Sequence, residues 1–224
     1  MGERIKLTAA DGFELNAYEA RPAGVPKGGV VLIQEVWGLN NWIRSVVDRW
    51  AEHGYHCVAP AMFDRIDYGF ESENYTPSHF QLVGEMMKKF DMEKAVADIA
   101  AASAYAAASG KVGITGYCFG GRMSWVAASR GLGLSAASGY YGGGVPSYID
   151  LAPVIPIEMH FGSRDTGIPL EQVEALKARH PGADIYVYDG DHGFCNSDRP
   201  QNFDRASCTK ASARSLEFFH KHLG

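Results

Sequence analysis

The sequence predicts an α/β fold: a doubly wound, mostly parallel sheet with an antiparallel N-terminal hairpin, carried by a single domain over residues 1–224. Three observations predict it. Gly29-Val30-Val31-Leu32-Ile33-Gln34 is a continuous apolar run, the pattern of a strand buried on both faces of a parallel sheet. Along the rest of the chain, segments of strand character alternate with segments of helical period. Near the middle, Val112-Gly113-Ile114-Thr115 leads into Gly116-Tyr117-Cys118-Phe119-Gly120-Gly121 and out into helix formers, the order strand, sharp turn, helix.

Ile5–Ala9 and Phe13–Ala20 alternate in polarity around Asp11-Gly12, a hairpin signal. Residues 21–28, rich in Pro, Gly and Ala, form a loop before the first buried strand. Asn40 and Asn41 can cap a helix over Trp42–His53, which Gly54 ends, and Tyr55–Pro60 is the next strand. Met62–Ser78 is polar and aromatic without a period, so it is expected to wall an active site. Helix formers fill Phe80–Ser109, as two helices meeting near Lys89-Phe90-Asp91. After the central turn come a strand over Leu134–Tyr141, a loop at Gly142–Gly144, and a strand over Val154–Gly162 made less regular by Pro156. A helix over Leu170–Arg179, a last strand over Asp184–Tyr188, the turn Asp189–Phe194 and an amphipathic helix over about Ala206–His222 complete the chain.

With 46% hydrophobic residues in 224, the chain can bury one sizeable core. A formal net charge of -5 argues against nucleic acid or an anionic membrane surface as partner. No stretch approaches a membrane span, and Met1–Leu7 lacks the apolar run of a secretory signal. The cysteines Cys57, Cys118, Cys195 and Cys208 form no C-x-x-C pair; they read as reduced thiols in a cytoplasmic protein, with Cys57 core filling and Cys195 and Cys208 incidental. His192 and Cys195 are three apart, but no paired zinc-type motif supports a metal site, and no cofactor is expected.

In open α/β sheets ligands bind beyond the carboxyl ends of the strands, which singles out Glu35, Cys118, Asp165 and His192. Acyl transfer needs a nucleophile, a base and a group that orients the base. Cys118, His192 and Asp165 supply them in the chain order nucleophile, acid, histidine, which is that of α/β-hydrolase triads, with Cys118 at the serine position of the G-x-S-x-G elbow. His160, the nearest rival base, lies within a strand rather than after it. Backbone N–H groups of Phe119 and Val36 are the candidates for an oxyanion hole. Glu35, at the end of a buried strand, either acts on the thiol proton or pairs with an arginine such as Arg122, and spacing leaves both open.

Gln34–Asn40, Phe90-Asp91-Met92-Glu93, Lys111–Gly121, Gly139-Tyr140-Tyr141-Gly142 and Asp191-His192-Gly193-Phe194 together resemble the blocks of the dienelactone hydrolase family, over nearly the whole chain. The resemblance implies a single-domain α/β hydrolase with Cys118 as nucleophile, His192 as base and Asp165 as its orienter. It further implies that Glu35 keeps the resting thiol neutral until substrate arrives and then takes the thiol proton. Family members acting on dienelactone hold its carboxylate with two arginines; the corresponding positions here are Phe80 and Asn196, neither of which can do so. Arg65, Arg122, Arg164 or Arg199 could compensate. Otherwise the pocket, walled by Trp37, Phe80, Phe119, Tyr140 and Phe194, suits a neutral or bulkier ester.

The expected function is therefore hydrolysis of a small-molecule carboxylic ester or lactone by a monomer or homodimer. The alternatives are a non-catalytic small-molecule-binding protein and a thiol redox sensor on the same fold; the latter would want a resolving cysteine near Cys118, and the sequence has no local one.

Overall fold

The computed structural model describes residues 2–224. The hairpin pairs β1 (Glu3–Thr8) with β2 (Glu14–Ala20), and its turn holds Gly12 at φ 81. Six further strands follow: β3 (Gly29–Ile33), β4 (His56–Pro60), β5 (Val112–Tyr117), β6 (Leu134–Tyr140), β7 (Ile157–Gly162) and β8 (Asp184–Tyr188). They form one eight-stranded sheet in the order β1-β2-β4-β3-β5-β6-β7-β8, antiparallel through β1, β2 and β4 and parallel from β4 onward. Pro156 stands just before β7, so the strand begins later than Val154, which is exposed.

Six helices cover the sheet: α1 (Asn41–Glu52), α2 (Pro77–Met87), α3 (Met92–Ala106), α4 (Phe119–Arg130), α5 (Leu170–Arg179) and α6 (Arg205–Leu223). Strand alternation divides the core. Val30 and Leu32 face the aromatic layer of α1 and α6, with Trp42, Trp50 and Phe219; Val31 and Ile33 face α3, α4 and α5, with Ile99, Met123 and Val173. Full burial of one such aliphatic or aromatic side chain contributes about 1.5–3 kcal/mol. Asn40 caps α1 as the sequence leads one to expect, its Oδ1 accepting from the Ile43 N–H at 3.1 Å. None of the helices is long and apolar enough to cross a membrane, among the described residues.

The chain leaves β3 toward β4 on one side and returns to β5 on the other, so the strand order reverses between β3 and β5. A crevice opens beyond the carboxyl ends at such a switch point. Glu35 follows β3 there and Cys118 follows β5.

Candidate active site

Cys118 sits between β5 and α4 at φ 54, ψ -111, a conformation that a non-glycine residue adopts only at a cost of about 1–3 kcal/mol. The surrounding glycines make the turn possible. A Cβ on Gly116 would stand 2.3 Å from the Gly120 carbonyl oxygen, and one on Gly120 would stand 2.2 Å from that of Ile33. The turn therefore lies directly on the end of β3, bringing the thiol to the Glu35 segment. Cys118 N–H donates to the Tyr140 carbonyl at 2.9 Å, and the side chain is a free, partly exposed thiol. Phe119 begins α4, where the first backbone N–H groups lack intrahelical acceptors. Val36 follows Glu35 on the facing segment.

His192 lies on the turn after β8, and Asp165 on the turn after β7. These turns meet because Gly162 admits the Gly190 carbonyl, only 2.3 Å from where a Cβ would be. Asp165 is buried, and both its oxygens are used: Oδ1 accepts from Gly167 N–H at 2.8 Å and Oδ2 lies 2.7 Å from His192 Nδ1. Nδ1 thus donates to the carboxylate, leaving Nε2 to exchange a proton. Burial disfavours the imidazolium, but the negative field of Cys118 and the hydrogen bonds that Asp165 and Cys118 accept from the ring outweigh it and raise the His192 pKa. His160 is fully buried in β7 among Glu158, Tyr188 and Ser215, away from this arrangement.

Glu35 is 2% exposed and accepts from Asn196 Nδ2 through Oε2 at 2.7 Å; Oε1 has no partner. Asn196 Oδ1 accepts from Asp198 N–H at 3.0 Å, which orients the amide so that its NH₂ faces the carboxylate. Burial is the chief reason the Glu35 pKa is raised; the Asn196 bond and the charges of His192 and Arg199 act in the opposite direction. The suggested pairing with Arg122 is not made: that guanidinium lies over the Phe119 ring at 5.4 Å, beside Gly144.

Tyr141, which the sequence reading passed over, joins the site. Its ring centre is 5.3 Å from that of His192, its φ is 36, and its buried hydroxyl has no partner. Burial and then the neighbouring Glu35 charge push its phenol pKa well up. Tyr141 lies just past the end of β6 with φ 36, so strand alternation does not set it, and one of the two adjacent tyrosines turns toward α6. It is Tyr140, whose hydroxyl bonds Ser215 on α6 at 2.7 Å; it does not wall the cleft.

Other expected pocket residues also need correction. Phe194 is 0% exposed and packs between Tyr141 and Tyr188 beneath the histidine turn. Phe119 is buried against Phe63 and Phe90. Arg65 is bound to Asp98 and Asp11, both at 2.8 Å, and Arg164 to Asp189. Trp37 is likewise buried, and Tyr75 and Phe80 pack edge-on against it with ring centres 5.1 and 4.6 Å away. Tyr75 belongs to the 62–78 segment, which packs against the residues after β3: Ser72 N–H donates to the Trp37 carbonyl at 2.9 Å and Asn40 Nδ2 to the Tyr75 hydroxyl at 2.9 Å. Arg199 completes this side, its guanidinium carbon 5.8 Å from the rings of both Tyr75 and Phe80 and its Nε buried without a partner.

Cys195 and Cys208 are joined in a disulfide, which corrects their reading as incidental reduced thiols. The bridge ties the turn carrying His192 and Asn196 to α6, a proximity that a separation of 13 residues does not disclose. Cys57 is buried core filling, as expected. Among the described residues no group of three or more His, Cys, Asp or Glu side chains is placed to hold a metal ion.

A model of the dienelactone hydrolase family matches residues 15–223. The chain belongs to that family. Carboxymethylenebutenolidase 1 of Cupriavidus pinatubonensis is 31% identical over 97% of this chain and 96% of its own length. A carboxymethylenebutenolidase of Pseudomonas putida is 27% identical over 96% and 95% respectively. Among solved structures, the dienelactone hydrolase-like promiscuous phosphotriesterase P91 from metagenomic libraries superposes with a TM-score of 0.80 at 18% identity, covering 100% of this chain and 99% of its own, a likeness of fold. Family membership makes this protein a hydrolase of the carboxylic-ester and lactone class.

Proposed function

We propose that this family member hydrolyses its ester or lactone through Cys118, with His192 as general base and Asp165 as its orienter. The observation that carries the reading is the 2.7 Å contact between His192 Nδ1 and Asp165 Oδ2, set beside a free thiol on a strained elbow. The thiol proton passes to His192 Nε2 as sulfur bonds to the acyl carbon, and the carbonyl π pair moves onto oxygen. Backbone N–H groups of Phe119 and Val36 receive that oxyanion. Collapse re-forms the carbonyl and breaks the bond to the leaving oxygen, which takes the proton from His192. Water then attacks the thioester, giving its proton to His192; sulfur leaves, takes the proton back, and the acid is released. Enolate or phenolate leaving groups suit this route, since a poorer one would let the intermediate expel the thiolate.

Glu35 is assigned the first half of the role that the family resemblance implies, keeping the resting thiol neutral; the thiol proton itself goes to His192. Support comes from its burial, its raised pKa and its place on the segment that the elbow lies against. For the substrate, Arg199 takes over anion recognition. The family resemblance places two substrate-binding arginines at Phe80 and Asn196, and the Arg199 guanidinium lies against Phe80 from a third chain position. A carboxylate-bearing ester or lactone is therefore the proposed substrate class.

The deciding experiment is incubation with an activated aryl ester and mass analysis of the trapped protein. An acyl adduct on Cys118, with hydrolysis lost in Cys118→Ala and its circular dichroism unchanged, is the expected result. Undiminished turnover by Cys118→Ala would remove the thiol from the mechanism.

A further inference from the structure

Behind the elbow, between α1, α6 and residues 195–203, lies a cavity of about 200 Å³ that the proposed reaction does not use. Trp42, Trp50, Tyr117 and Phe203 line it, with Arg49 at its side. No acidic side chain is among its walls. An apolar cavity of roughly 150 Å³ suffices to hold benzene, so one aromatic ring with a small substituent fits this space.

Two observations specify the substituent. Trp42 is only 2% exposed, yet its indole N–H is buried without an acceptor, where a buried donor is ordinarily paired. Arg49, exposed on α1 at the side of the cavity, forms no ion pair among the described residues, and its charge acts on the Tyr117 phenol of the wall. A buried donor without an acceptor, with an exposed guanidinium at the side of aromatic walls, fits an acceptor that carries negative charge.

We propose that this cavity is a second ligand site, for a single-ring aromatic carboxylate, with the ring among the aromatic side chains and the carboxylate toward Arg49 and the Trp42 N–H. Its position gives the site a bearing on the reaction. Two of its wall residues, Tyr117 and Cys195, are the chain neighbours of Cys118 and of Asn196, the residue that holds Glu35. The cavity therefore adjoins the backbone that carries both groups.

The test is titration of the full chain, labelled with ¹⁵N at its four tryptophans, with benzoate. Indole resonances are assigned with Trp37→Phe, Trp42→Phe and Trp50→Phe variants, which leaves Trp125 by elimination. Saturable shifts at Trp42 and Trp50 with Trp37 unmoved are expected, because Trp42 and Trp50 line the cavity and Trp37 does not. Arg49→Met is expected to weaken benzoate about tenfold while leaving ester hydrolysis unchanged, the loss of one charge-assisted hydrogen bond. Benzyl alcohol, with the same ring and no charge, is expected to bind about tenfold more weakly than benzoate on the same ground. Leu216→Trp, which fills the cavity from α6, should abolish binding; if that variant fails to fold, Arg49→Met decides. Shifts confined to Trp37, no saturable shift at all, or full affinity in Arg49→Met would each overturn the proposal.

Discussion

Asn196 Nδ2 donates to Glu35 Oε2 at 2.7 Å across a separation of 161 residues, and it is the only hydrogen bond that this buried carboxylate makes among the described residues. A position at which the family resemblance implies an arginine thus serves a buried carboxylate. A neutral amide satisfies one oxygen without adding a cation, so burial still dominates and Glu35 retains a raised pKa.

Glu35→Gln should accordingly stabilise the protein at neutral pH. The folded-state pKa lies above the ordinary 4.5, so as pH rises past 4.5 the unfolded chain ionises while the folded protein holds the proton, and stability falls through the folded value. Gln removes this loss and can still accept from Asn196. Melting temperatures across pH 4–9 check it: the variant's advantage should grow with pH and vanish below pH 4.5. The same variant should alkylate Cys118 at an altered rate; an unchanged rate would take Glu35 out of the proposed thiol control.

Asp165→Asn should lower kcat/KM by about 10³–10⁴ with the fold intact, the scale on which a misoriented base is felt. It also withdraws one of the two groups that raise the His192 pKa. The histidine titration, followed by NMR, should therefore move down. An unmoved titration would place the origin of the shift elsewhere.

Gly120→Ala tests the elbow. Its Cβ would lie 2.2 Å from the Ile33 carbonyl oxygen, with backbone on both sides and nothing flexible to yield. A loss of about 3 kcal/mol in urea unfolding and collapse of activity are expected. Gly182→Ala, where a Cβ meets nothing within 4 Å, should stay within about 0.5 kcal/mol of wild type.

Arg199→Met should raise KM about tenfold or more for an aryl ester bearing a carboxylate, and leave a neutral ester of the same leaving group nearly unchanged. Paired kinetics on the two esters check it. Equal effects on both would show that the guanidinium only props the Tyr75 and Phe80 wall.

Much of this arrangement was legible in local sequence, where the physics is local. The buried strand at Gly29–Ile33, the Asn40 cap, the Asp11-Gly12 turn and the glycines around Cys118 follow from periodicity, side-chain capping and steric room, all decided within a few residues. The chain order of Cys118, Asp165 and His192 likewise needed only strand ends to be recognised.

Sequence by itself thus determined the fold class, the elbow and the choice of four polar residues beyond the strands. Only the tertiary structure decided which tyrosine of the adjacent pair faces His192, which arginine meets the cleft wall, that Cys195 reaches Cys208, and that Asn196 holds Glu35. Those are questions of direction and of approach between distant segments. A side chain's residue type carries its chemistry, but its partner is set by how the loops beyond β3, β5, β7 and β8 pack against one another, which no short stretch of the chain encodes.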